Sequence, residues 1–458
     1  MSGYRHLRMV VRGWYRDELL RRLMKNAGYL ASGNVAAAGL GLVALALSAR
    51  VLGPELLGVL ALIEAYTALV DRLIRLEPWQ ALIKYGADAL EGNRPDALRS
   101  LLKFGVLVDA GGAACSTLVA IAFVAAVGPW LGWSEQTVQM AGVYSLSLLF
   151  QLAATPTAVL RLFDRFAVFA WLEMAAAAAR AALFGVAFLA GAGLWAFLLL
   201  AMAVHFARHL TLGLIAWREL RRQGHAGFLQ ASVAGIRTRC PGIWSLIWSL
   251  KASNLIRRST GDVDTLLIGA LLDTGAVGLY HVAKRFGQAA LKVGIPIQQV
   301  LFPDLARLWA RREIKRLRMT VVQIDLIGGG LALGVLAGIA LNVDLVLGLT
   351  VGPDYADAGV LVILQLFATT TALFGTALRP ALLIMGLEVP LLKVVIVATL
   401  GFYATLAVSL PMLGVVGASI AHIVLNTVWL LAASMAFARR IRQETRSGEA
   451  VAVVGVSG

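Results

Sequence analysis

The chain has 458 residues, of which 59% are hydrophobic and only 15% charged, and its 41 Lys and Arg outnumber 26 Asp and Glu to give a formal charge of +15. Soluble domains carry about 25% charged residues, so this composition excludes an ordinary soluble enzyme, a disordered protein and a secreted disulfide scaffold. On a chain with a mean hydropathy of +0.79, a basic excess suits loops at an anionic membrane surface and not a nucleic-acid groove. Cys115 and Cys240 are too few for a disulfide framework and lie in unlike settings.

A membrane-crossing helix needs about 20 apolar residues. Residues 1–25 are a basic segment, too long to be a cleavable signal, and the run after it is long enough to cross a bilayer. About twelve apolar runs follow in order, near 26–49, 56–75, 100–127, 136–160, 166–190, 193–216, 243–271, 276–301, 319–341, 356–379, 388–409 and 413–437. The sequence thus predicts an all-α polytopic membrane protein with an N-lobe over 26–216, an inter-lobe linker over 217–242, a C-lobe over 243–437 and a tail over 438–458.

Basic residues cluster before the first run (Arg5, Arg8, Arg12, Arg16, Arg21, Arg22, Lys25) and in alternate connections after it. Arg218, Arg221, Arg222, Arg237 and Arg239 precede the seventh run, and Arg307, Arg311, Arg312, Lys315, Arg316 and Arg318 precede the ninth. The other connections are nearly bare, with Arg50 the exception. This places both termini in the cytoplasm. No outer connection exceeds about 15 residues, too few for a folded domain, so the function is expected within the bilayer.

An offset of 220 residues superimposes Asn34 on Asn254, Val43 on Val263, Leu47 on Leu267, Leu52 on Leu272 and Gly58 on Gly278. Six runs plus six put both copies in the same orientation. Parallel repeats of this kind build two lobes related by an axis along the membrane normal, an arrangement used by transporters that rock between two openings.

Ionisable groups at bilayer depth are costly unless they face protein or water. At 100° per residue, Lys251, Arg258 and Asp262 share one face of the seventh helix, while Arg257 and Asp264 share another. His281, Arg285, Gln288 and Lys292 form a stripe on the eighth helix, and Glu64, Asp71 and Arg75 form one on the second. Glu173 and Arg180 lie on the fifth helix, His205, Arg208 and His209 on the sixth, and Asp109 on the third. The functional reading is a hydrated cationic cleft for an anionic substrate, lined by Lys251, Arg258, Arg285, Lys292, Arg180 and Arg208; guanidinium groups suit phosphates because their planar fork binds two oxygens at once. The alternative is that the charges pair with one another, with Asp262 and Arg258 placed for an i, i+4 pair. Arg75, Lys84, Lys103 and Arg379 are expected to reach the inner headgroups.

Glu64, Asp109 and Asp262 are the candidates for a coupling ion, whether proton or sodium. His205 and His209 lack a third ligand at a useful spacing and read as a polar pair, not a metal site. Gly330, Gly334 and Gly338 form a ladder that permits close helix packing, and Pro296 is expected to kink the eighth helix. There is no phosphate-binding loop, nucleophile elbow, zinc motif or CxxC pair, so no cofactor is expected.

Three stretches carry a family resemblance: Ala49-Arg-Val-Leu-Gly-Pro-Glu-Leu-Leu-Gly58; Asp264-Thr-Leu-Leu-Ile-Gly269 with Ala276-Val-Gly-Leu-Tyr280 and Phe302-Pro303; and Gly352-Pro-Asp-Tyr-Ala356 followed by Leu361-Val-Ile-Leu364. In order and spacing these resemble the polysaccharide and oligosaccharide flippases of the multidrug/oligosaccharidyl-lipid/polysaccharide exporter superfamily. The resemblance implies a bacterial inner-membrane flippase that moves an undecaprenyl-diphosphate-linked glycan to the outer leaflet for O-antigen, exopolysaccharide or capsule assembly. Its expected partners are that glycan, membrane lipid, and polysaccharide polymerase or chain-length proteins. Competing readings are a multidrug exporter of the same superfamily, which would need an acidic cleft; a membrane glycan polymerase or ligase, which would need a sizeable outer loop; and a non-transporting scaffold.

Overall fold

The computed structural model describes the backbone of residues 18–456, and the side chains of residues 33–446 other than 257, 258, 293, 295–297, 299 and 300. Most of the basic N-terminal segment and the side chains of Arg257, Arg258 and Pro296 therefore lie outside the described set.

The fold is all-α. The chain opens with α1 (Glu18–Ile74), which is two helices joined at Gly53, where φ is 67° and ψ is 176°. That backbone favours glycine, and Pro54 then occupies the first position of the next helix, where its missing N–H costs nothing. As one straight rod the apolar part of α1, Gly33–Ile74, would measure about 63 Å, twice the ~30 Å apolar layer. Gly53 thus divides this stretch into two helices. Then come α2 (Trp79–Glu91), α3 (Pro95–Val127), α4 (Glu135–Ser145), a 3₁₀ turn (Leu146–Phe150), α5 (Ala154–Leu162), α6 (Ala167–Leu189) and α7 (Leu194–Arg222). A second 3₁₀ turn (Ala226–Gln230) leads to α8 (Ile236–Arg239), α9 (Ile243–Arg258), α10 (Thr260–Leu271), α11 (Thr274–Ala310), α12 (Ile314–Ala340) and α13 (Val343–Thr350). The chain closes with a third 3₁₀ turn (Pro353–Ala358), α14 (Gly359–Leu373), α15 (Leu378–Ile384), α16 (Glu388–Leu413) and α17 (Val415–Val456).

Among the described residues, nine helical segments are long and apolar enough to cross a membrane, which makes the chain a polytopic membrane protein. Two of these segments are interrupted where the sequence predicts continuous helices. The fourth expected helix breaks at 151–153, between the first 3₁₀ turn and α5, and the tenth breaks at 374–377, between α14 and α15. Lipid cannot satisfy the backbone groups freed by such breaks, and protein side chains take them up. Arg75 donates to the carbonyls of Leu148 at 2.8 Å and Gln151 at 2.5 Å. Asp109 accepts from the Thr155 N–H at 2.9 Å. At the second break Asp325 accepts from the Ala377 N–H at 2.7 Å. Arg75 is thus not extended toward headgroups as expected: it is buried, held also by Asp71 at 2.6 Å, because the broken helix offers it acceptors within the protein.

Packing divides the chain into two units. One comprises the described residues up to 42, with 282–349 and those from 356 onward; the other comprises 43–281 and 350–355. The first has a core of Leu301, Leu305, Leu317, Leu382, Ala433 and Phe437. In the second, α2 lays Ala81 and Leu82 against Leu101, Phe104, Ile243 and Ile247, and a separate cluster joins Leu98, Leu102, Leu160, Leu172, Leu212 and Phe228. At 13 residues α2 is too short to cross a bilayer; it occupies what the sequence reads as a plain connection.

Two glycines in the second unit make a reciprocal backbone contact. A Cβ on Gly58 would run into the carbonyl of Thr274, and one on Gly278 would run into the carbonyl of Pro54. Both contacts obey the 220-residue offset of the sequence repeat, so matching turns pack against each other. The expected packing role of Gly330, Gly334 and Gly338 is not seen: a Cβ at any of them would meet nothing within 4 Å. The close approaches on α12 belong to Gly328, against the Leu373 carbonyl, and Gly329, against the Phe374 ring.

Candidate functional site

The second unit concentrates charge inside its helices. Glu64 of α1 faces Arg180 of α6 at 2.6 Å. Glu173, two turns before Arg180 on α6, reaches across to Arg208 of α7 instead. Arg72 of α1 pairs with Asp262 of α10, and Asp71 pairs with Arg75 one turn on. Lys251 of α9 donates to the Arg72 carbonyl at 2.5 Å and to that of Arg75. These carbonyls lie at the end of α1, where a cation meets the negative pole of the helix. Four carboxylates thus meet four arginines, and Lys251 caps the end of α1.

The expected site residues therefore have different neighbours from those that single-helix geometry suggests. Asp262 bonds Arg72 of a helix remote in sequence. Arg180 and Arg208 each hold a carboxylate while remaining about 30% exposed. Arg285 is half-buried and Lys292 exposed on the part of α11 assigned to the other unit. The side chain of Arg258 lies outside the described set. Asp109 is fully buried, with one carboxylate oxygen on Thr155. The rings of His205 and His209 lie 4.5 Å apart between centroids, tilted by 60°, and Arg208 lies 3.5 Å from His209 Nε2. No group of three metal-ligating side chains occurs among the described residues.

Sequence reasoning missed Arg72, whose partner is 190 positions away, and Tyr280, whose hydroxyl donates to the buried Asp264 at 2.5 Å. Only an angular comparison between helices could have signalled either.

A model of the family described as polysaccharide biosynthesis protein matches residues 23–309. The chain belongs to this family. It is 27% identical over 352 residues, 76% of this chain and 98% of the other, to the inner membrane protein YghQ of Escherichia coli strain K12. It is 26% identical over 193 residues to the probable flippase AglR of Haloferax volcanii, covering 41% of this chain and 40% of that one. Among solved structures it is similar to the lipid II flippase MurJ in an inward closed conformation, with a TM-score of 0.66, 10% identity, and coverage of 91% and 89%. An inward-facing multidrug resistance MATE family transporter matches with a TM-score of 0.61, 14% identity, and coverage of 92% and 95%.

This polysaccharide biosynthesis family member is a multi-pass inner-membrane protein with the fold of non-enzymatic membrane transporters. Two of the stretches that carry the resemblance meet in space: the buried Tyr355 donates to the Ala49 carbonyl at 3.3 Å, and Arg50 donates to the Thr350 carbonyl at 2.8 Å.

Proposed function

We propose that the protein is a flippase that carries a polyprenyl-diphosphate-linked oligosaccharide from the cytoplasmic to the outer leaflet by alternating access, for cell-surface polysaccharide assembly. The supporting observation is the arginine–carboxylate network of α1, α6 and α7, in which Arg180 and Arg208 lie within helices of membrane-crossing length and hold carboxylates yet remain partly exposed. Unpaired guanidinium groups there would be costly. Glu64 and Glu173 hold them until a diphosphate arrives, whose oxygens offer the same bidentate geometry. Glu64, once displaced, is then free to take up a proton, so substrate entry and ion uptake would share one partner exchange. Arg258, Arg285 and Lys292 are proposed as further substrate-binding cations, and the lipid tail would remain in the bilayer.

Twelve crossings in two lobes of six complete this reading. The hairpin at Gly53 adds one to the nine segments, and the charge-rich α9–α10 pair and α11 add two more. The reciprocal Gly58 and Gly278 contacts support the parallel repeat. So do Asp109 and Asp325, which perform the same task at the break of the fourth and tenth expected helices.

The test is a deletion strain whose polyprenyl-linked glycans are assayed for leaflet position in spheroplasts. The expected result is full-length glycan trapped on the cytoplasmic face and released by the restored gene. Glycan normally distributed without the gene would refute the proposal, and glycan at the outer face but unjoined would point to a polymerase or ligase.

A further inference from the structure

The second unit also holds a cavity of about 320 Å³ between α3, the first 3₁₀ turn with α5, and α7. Its size falls at the lower end of small-molecule pockets, roughly 300–1,000 Å³. The mouth is apolar: Phe150, Phe206, Leu210 and Trp217 line the cavity and are also partly exposed. The deep end differs. Asp109, Thr155 and His209 line the same cavity, are 1%, 3% and 4% exposed, and each keeps one polar atom with no hydrogen-bond partner among the described residues: Asp109 Oδ1, Thr155 Oγ1 and His209 Nδ1. Buried polar atoms left without partners are costly, so three in one cavity call for an occupant.

The chemistry of these atoms narrows what it is. Arg208 faces His209 Nε2 and can only donate, which leaves the proton of a neutral His209 on Nδ1. The deep end therefore offers a donor at His209, an acceptor at Asp109 and a hydroxyl that does either. Asp109 disfavours an anion. Arg208 beside His209, and Arg75 bound to the Leu148 and Gln151 carbonyls just before Thr155, disfavour a further cation. A neutral group that both donates and accepts, carried on an apolar body, meets every condition.

We infer that this cavity is a binding site for a membrane-soluble alcohol, whose hydroxyl bonds Asp109, Thr155 and His209 while its hydrocarbon fills the aromatic mouth. The site borders Arg208, one of the proposed diphosphate partners, but its deep-end atoms and apolar mouth stand whether or not that reading holds.

Gly213 supplies the control. It lines the cavity, and a Cβ there would meet nothing within 4 Å, so Gly213→Phe adds bulk at the cavity wall from a position where the side chain starts in open space. The experiment uses the full chain in lipid nanodiscs with a photoreactive, diazirine-bearing dodecanol, and maps the crosslinks by mass spectrometry. Labelling is expected within Phe206–Trp217 and around Phe150. Unlabelled dodecanol should compete at a concentration about tenfold lower than dodecane, the value of one good hydrogen bond, and laurate should compete no better than dodecane. Thr155→Val and His209→Phe should erase the preference for the alcohol, and Gly213→Phe should abolish labelling while size-exclusion profile and helix content stay unchanged. Equal competition by dodecane, labelling that survives Gly213→Phe, or labelling that dodecanol does not displace would each overturn the inference, the last assigning the deep end to water alone.

Discussion

Asp109 holds the Thr155 backbone N–H at 2.9 Å, which ties the middle of α3 to the helix that restarts after the break at 151–153. A carboxylate at this depth is expensive, and it is kept because the broken helix would otherwise leave its first N–H groups without partners. Asp109→Leu is expected to lower stability by about 1–3 kcal/mol, the cost of a buried donor left unpaired. Asp109→Asn keeps an acceptor and should lose less. Asp325→Leu and Asp325→Asn should behave as a second matched pair through the Ala377 N–H. Thermal unfolding followed by fluorescence-detected size exclusion checks both.

The Gly58 and Gly278 approaches leave no room for a side chain on either residue. Because the obstacles are backbone carbonyls, repacking cannot relieve the clash. Gly58→Ala and Gly278→Ala should each destabilise by about 1–3 kcal/mol. The double variant should lose less than the sum, since one displacement of the two turns relieves both clashes. Melting temperatures of the two single variants and the double variant read this directly.

The Glu64–Arg180 pair separates folding from transport. Glu64→Gln leaves a guanidinium without its partner inside the membrane and should cost about 3 kcal/mol. Exchanging the charges, Glu64→Arg with Arg180→Glu, should restore most of that stability. Transport should not return, because the cation then lies on α1 and not on α6. Glycan translocation at matched expression tests this; a swapped protein that transports normally would show that the position of Arg180 is immaterial.

His225, beyond the end of α7, gives a pH prediction. Burial, and then the positive charge of Arg99, hold its imidazole below the ordinary histidine range. The folded form thus prefers the neutral ring. Its contribution is fully present above the ordinary value of about 6.5 and is lost as pH falls from there through the folded value. Trypsin cleavage at Arg237 and Arg239 should therefore quicken between pH 7.5 and 5.5 relative to a control peptide, at pH values chosen to bracket about 6.5. His225→Gln should flatten the dependence.

Part of this architecture is legible from local pattern alone. Apolar runs of bilayer length mark the long membrane helices, and the 220-residue offset picks out two turns that pack together through Gly58 and Gly278. These features depend on length, hydropathy and charge, which act residue by residue along one helix. The interruptions at 151–153 and 374–377 are not legible in this way. An apolar run reads as a continuous helix, and whether its hydrogen bonds break depends on Arg75, Asp109 or Asp325 arriving from another helix. The partners of the buried charges are hidden for the same reason. Periodicity places Arg180, Arg208, Lys251 and Asp262 on helix faces, but helices remote in sequence supply Glu64, the end of α1 and Arg72. The sequence by itself determined which residues enter the membrane and in what order; tertiary packing alone decided which charge meets which, because in a medium without water each polar group is bound by whatever neighbour the fold brings within reach.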